Sequence, residues 1–206
     1  MPALEVWPEA NILPHWREGG PDPEEYSRLL RAVATAVKRA APGTRIVSGA
    51  PAPNAELGVC YLSDLVFLDR LALTGALQIV DAVGVAPFGL RVGPDATPTA
   101  EEPLVFGRAE EAARVLSRRG VEKPLWATAW GWRVGQGGGR EEDGGWGGHD
   151  ADRVARWIRE GHAKARAEWP WLEAMFVWHL QPDAPAGDPV WGFALWSREG
   201  SETPAW

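Results

Sequence analysis

Few residues in this chain combine reactive side chains with places where parallel α/β folds gather chemistry, the carboxyl ends of strands. Glu9 and Asn11 follow the first apolar run, residues 4–7. Asn54 follows the second and Phe88 the third. Thr128, Trp130 and Trp132 follow the fourth, and Trp178 and His179 the fifth. One well-placed carboxylate among indoles suits proton transfer at the mouth of an aromatic-walled pocket. Sugars fit such walls, because their C–H faces stack on indole while their hydroxyls take polar partners. For any single tryptophan, packing in the core is an equally good reading.

The remaining reactive types carry less. His15, His149 and His162 show no ligand spacing with cysteine or carboxylates, so no metal site and no cofactor are expected. Cys60 has no basic neighbour in sequence and is expected to be an inert core thiol; as the lone cysteine it forms no internal disulfide. Glu141, Glu142, Asp143 and Asp150 read as solubilising charges in or beside a glycine-rich loop.

Alternating strands and helices must position these groups. Strands are expected at 4–7, 44–49, 79–85, 124–130 and 172–180, and helices at 23–40, 61–73, 103–119 and 150–167. Asp22 is the natural N-cap of the first helix, with Pro23 at its first position, and Tyr26, Leu29, Leu30, Val33 and Val37 share one face. Gly75 and Gly120 stand just past the ends of the second and third helices. The order βαβαβαβαβ, with strands apolar enough to be buried on both faces, predicts an α/β fold with a parallel sheet and outer helices. Residues 1–206 read as a single domain. Five parallel strands do not close a barrel. A doubly wound nucleotide fold has no support, because no glycine-rich phosphate fingerprint follows any strand.

Composition narrows the partners. The chain has 206 residues, 24 glycines, 18 prolines and 13 tryptophans, and a net charge of −7. That balance disfavours nucleic acid. No apolar run is long enough to cross a membrane, and the first residues lack the pattern of a signal peptide. Localisation stays open: cytoplasmic as the chain stands, secreted if it is part of a longer protein.

Several motifs resemble one family in order and spacing. Val6-Trp7-Pro8-Glu9-Ala10-Asn11 resembles the Trp-Asn-Glu-Pro-Asn signature that ends the fourth barrel strand of clan A glycoside hydrolases. Residues 81–89 (DAVGVAPFG) resemble that family's sixth strand, and residues 123–132 (KPLWATAWGW) its seventh. Residues 174–180 and 188–196 resemble the eighth strand and its loop. The nearest counterparts are the β-xylosidase-like members. The resemblance implies a partial (β/α)8 TIM barrel, strands four to eight with outer helices, binding an oligosaccharide or polysaccharide at its carboxyl-terminal face.

It also implies roles. Glu9 matches the acid/base. The nucleophile position is Ala129, whose methyl cannot attack an anomeric carbon. Retaining hydrolysis needs two carboxylates about 5 Å apart. The family's asparagine before the acid/base is Pro8 here, and its sixth-strand histidine and tyrosine are Ala86 and Phe88. Trp7, Asn11, Phe88, Trp130, Trp132, Trp178 and His179 are the expected sugar-contacting set. The expected protein is a glycosidase relative that recognises carbohydrate and has lost double-displacement chemistry. Two alternatives stand beside it. One is an active glycosidase with an atypical second carboxylate. The other is a non-enzymatic partial barrel whose open strand edges assemble with a second copy or another chain.

Overall fold

The computed structural model describes residues 2–16, 18–135 and 145–203. Five strands form one sheet in the order β1 to β5: β1 (Ala3–Val6), β2 (Arg45–Ser48), β3 (Ala82–Val85), β4 (Leu125–Trp130) and β5 (Leu172–Val177). The strands are parallel, with Ala3 opposite Arg45, Val47 opposite Ala82 and Val83 opposite Leu125. Four helices intervene: α1 (Pro23–Ala40), α2 (Asp64–Leu73), α3 (Arg108–Arg118) and α4 (Ala151–Glu168). Strand–helix alternation in sequence order is the connectivity that parallel pairing demands.

The chain divides into two compact units. The first comprises Met1–Ala86, Ala109–Ala127 and Trp171–Ala174; the second comprises Pro87–Arg108, Thr128–Pro170 and Met175–Trp206.

In the first unit, α1 starts where its capping residues dictate. The Asp22 carboxylate accepts from the backbone N–H groups of Glu24 and Glu25, and Pro23 occupies the first turn. Tyr26, Leu30 and Ala34 bury one stripe at a spacing of four, while Val33 and Val37 lie at its margin. The central strands are apolar and buried: all four residues of β3, and Ile46, Val47 and Ser48 of β2. Expected burial on both faces fails at the two edges. β1 exposes Ala3 and Leu4, and β5 exposes Glu173 and Phe176, since an edge strand has a neighbour on one side only.

Polar contacts close the amino-terminal ends of the strands. Arg45 on β2 gives two hydrogen bonds to Glu173 on β5, 3.0 and 2.6 Å, and its guanidinium lies 4.8 Å from the Trp126 ring centroid on β4. Trp126 Nε1 donates to the same carboxylate at 2.7 Å. Lys38 and the backbone N–H of Ile46 share Asp81.

The second unit is built on aromatic packing. Phe106 stacks on Trp169 with centroids 4.8 Å apart and touches Trp130 and Trp132. Gly161 of α4 lies against the rings of Trp132, Trp130 and Phe106, where a side chain would crowd all three. Gly89 passes so close to the Trp132 indole that a Cβ there would overlap it.

Several expected boundaries shift; β5, for one, ends at Val177 and not at 180. The apolar stretch before β3 is a 3-10 turn, Ala76–Ile79, and the strand begins only at Ala82. Helix α2 begins at Asp64 and not at 61, and α3 begins at Arg108 and not at 103. The later start of α2 leaves Cys60 on a loop, where it is exposed, which corrects the expectation of a core thiol.

Candidate functional site

The turn after β1 carries the acid/base candidate. Trp7 and Glu9 both adopt left-handed backbone conformations, φ 50° and 61°, which cost roughly 1–3 kcal/mol each for residues other than glycine. The surroundings hold them there. Glu9 N–H donates to the Ala50 carbonyl at 2.8 Å, and the Ile12 N–H returns to the Glu9 carbonyl. Tyr26 from α1 donates its hydroxyl hydrogen to the Val6 carbonyl and accepts from the Gly49 N–H, tying the ends of β1 and β2. Burial raises the Tyr26 pKa, followed by a smaller lowering effect from Gly49 and a raising one from Glu5, so the phenol stays protonated and can donate.

Glu9 is partly buried and pairs with His15, Oε2 to Nε2 at 3.1 Å. Trp7 is 55% exposed. Its indole N–H donates to the His15 carbonyl at 2.7 Å, and its ring meets Trp16 edge-on. Thus an exposed indole, a carboxylate and an imidazole form one cluster in the first unit.

Asn11 lies in the same turn but does different work. It is fully buried, donates to the carbonyls of Ala52 and Leu62, and accepts from the Ala52 N–H. Its amide is consumed in joining two loops, which leaves nothing for a ligand. Asn54 likewise turns its own loop through Glu56.

In the second unit, Phe88, Trp178 and Phe193 pack together, with Phe88–Trp178 centroids 5.9 Å apart and Trp178–Phe193 5.2 Å. Trp146 adds an edge contact to Phe88 and to Phe193 and is itself exposed. His179 stacks on Trp178 at 4.6 Å. Its Nε2 is buried without a hydrogen-bond partner among the described residues. Burial lowers the His179 pKa, so the ring is neutral at pH 7. Trp130 and Trp132 are each 1% exposed, and Trp132 donates to the Val92 carbonyl. Neither has a free face; both serve the aromatic core. Phe88 is also buried, as part of the floor under Trp178 and Trp146. Ala129 is partly accessible near the end of β4.

No family model matches the sequence, and no curated protein matches it. Solved structures do. The chain is similar to a GH128 (subgroup VI) exo-β-1,3-glucanase from Aureobasidium namibiae, with TM-score 0.59 and 14% identity, over 99% of this chain and 65% of that one. It is similar to a family 39 glycoside hydrolase from Bacteroides cellulosilyticus WH2, with TM-score 0.57 and 20% identity, over 98% of this chain and 38% of that one. It is similar to a GH128 (subgroup II) endo-β-1,3-glucanase from Sorangium cellulosum, with TM-score 0.59 and 16% identity, over 98% of this chain and 77% of that one. The chain has the fold of these glycoside hydrolases. It spans less than two thirds of the length of the first two.

Among the described residues no group of three or more histidine, cysteine or carboxylate side chains could hold a metal ion, and no helix is long and apolar enough to cross a membrane. Glu141, Glu142 and Asp143 lie outside the described residues. Asp150 caps α4, and the Arg153 N–H that it accepts holds its carboxyl below the usual carboxylate range. Two residues carry no sequence signal for the places they take. His15 lies six positions beyond Glu9, a separation no helical or strand rule brings together. Trp146 had only its residue type as a signal.

Proposed function

We propose that this chain is a carbohydrate-binding glycoside hydrolase relative in which Glu9 keeps the acid/base position and Ala129 stands where the nucleophile belongs. The observation that carries the reading is the partly exposed Glu9 carboxylate and the exposed Trp7 indole, both bonded to His15 and both set on a strained turn at the carboxyl end of β1. Strain retained in a turn of this kind favours a functional site over a solvated loop. The fold likeness and the ordered motifs around Glu9 and Ala129 support the same reading.

The chemistry follows from the residue types. A carboxylic acid at residue 9 donates a proton to a glycosidic oxygen, or accepts one from a hydroxyl. Double displacement also needs a second carboxylate to attack the anomeric carbon, and alanine has no atom to do so. The protein therefore binds saccharide without forming a glycosyl-enzyme. Trp7 supplies an exposed stacking face.

Two of the structural neighbours are β-1,3-glucanases, so laminari-oligosaccharides are the first ligands to try. Calorimetric titration with laminari-, xylo-, gluco- and manno-oligosaccharides should give binding heat with at least one series. A panel of nitrophenyl β-glycosides should give no release above background. An absence of heat from every series defeats the binding reading. Turnover that Glu9→Gln abolishes would reveal a second carboxylate and restore the enzyme.

A further inference from the structure

The first unit brings to Glu9 a partner that none of the motifs contains. The geometry points to His15 as the positioning residue of Glu9, and to Trp7, Glu9 and His15 as one saccharide subsite complete within that unit. This deepens the proposed function and rests on it.

Three observations converge. First, His15 Nε2 lies 3.1 Å from Glu9 Oε2, so one carboxylate oxygen is engaged and the other has no partner among the described residues. A carboxylate held by one oxygen presents the second in a fixed direction, which a free glutamate on a turn cannot do. Second, the link between His15 and the platform is direct: the Trp7 indole N–H donates to the His15 carbonyl at 2.7 Å. His15 thereby contacts both groups, the stacking ring through its carbonyl and the carboxylate through its imidazole. Third, the His15 side chain is 51% exposed and the Glu9 side chain 32%, so both remain within reach of a ligand. A buried structural pair would be closed to ligand, and a solvated surface pair would not require two left-handed residues in three to assemble it.

The ligand class follows from the three groups. An indole face takes the apolar C–H face of a pyranose. With Nε2–H directed at Glu9, the imidazole offers Nδ1 as an acceptor, so carboxylate and imidazole both accept from adjacent sugar hydroxyls. An acidic sugar fits poorly, because its carboxylate would meet Glu9. The subsite therefore takes a neutral glycosyl residue.

A double-mutant cycle tests this by calorimetry with laminaritriose and xylotriose as probes, on the whole chain. His15→Ala should weaken binding about five- to tenfold. His15→Gln, which can still donate near the Nε2 position, should recover most of that loss. In a Glu9→Gln background, His15→Ala should cost less than twofold, since a residue acting through Glu9 has nothing left to position. Unchanged binding in His15→Ala, or an equal loss in both backgrounds, overturns the positioning role and leaves the proposed function standing. Failure of the unsubstituted chain to bind either probe or any other series overturns both. Because His15 is exposed, its variants should melt within a few degrees of the parent; a larger shift would make the residue structural and overturn the assignment.

Discussion

The guanidinium of Arg45 and the carboxylate of Glu173 meet in two hydrogen bonds although β3 and β4 separate their strands. Three strand spacings in a flat sheet amount to about 14 Å. The two long side chains bridge that gap by reaching toward each other within the first unit. Trp126, on the intervening β4, joins the same carboxylate and lies under the guanidinium.

The bridge makes stability sensitive to acid. Hydrogen bonds from Arg45 and then from Trp126 hold the Glu173 carboxyl below the usual carboxylate range. A carboxyl with a lowered folded pKa contributes stability that is present above its unfolded value, about 4.3, and is lost as pH falls through the folded one. The melting temperature should therefore drop on acidification below about pH 5, and Glu173→Gln should flatten that drop while lowering the plateau at pH 7. Equal acid slopes in the two proteins would remove Glu173 from the account. The contribution is small, because the pair is well exposed.

Tryptophans on the two kinds of site should separate by phenotype. Trp132→Ala empties a closed aromatic core and should cost about 3–5 kcal/mol in denaturant unfolding. Trp7→Ala removes an exposed ring and should leave the midpoint nearly unchanged while abolishing saccharide heat. The reverse pattern would move the binding face into the second unit.

Asn11→Ala strands two buried carbonyls and one N–H at once. A loss of about 3 kcal/mol is expected in chemical denaturation. A variant of parental stability that no longer binds sugar would return Asn11 to the ligand.

Restoring a carboxylate at residue 129 tests the proposed loss of the nucleophile. Ala129→Glu should create slow release from a nitrophenyl β-glycoside; release unchanged from the parent would remove residue 129 from the proposal.

Much of the architecture was readable from residue patterns, and the exceptions have causes. Asp22-Pro23 and the apolar face from Tyr26 to Val37 located α1, because capping and periodicity act locally. Residues 79–81 read as strand because they continue the apolar run into β3, but Ile79 closes a 3-10 turn and the strand begins only at Ala82. Site residues were legible by type and not by direction. Asn11 and Glu9 are two positions apart on one turn, yet the amide faces inward and the carboxylate does not. Trp130 and Trp132 end a strand as a binding wall would, but Gly89 and Gly161 make room to swallow them. The Glu9–His15 pair depends on left-handed backbone at Trp7 and Glu9, and neither residue type advertises that conformation.

The phenol of Tyr26 has a consequence for anyone reshaping this protein. From α1 it holds the peptide that launches the Trp7–Glu9 turn. Substitutions along the hidden stripe of α1 should thus shift that turn from behind, a route that libraries confined to exposed residues would overlook.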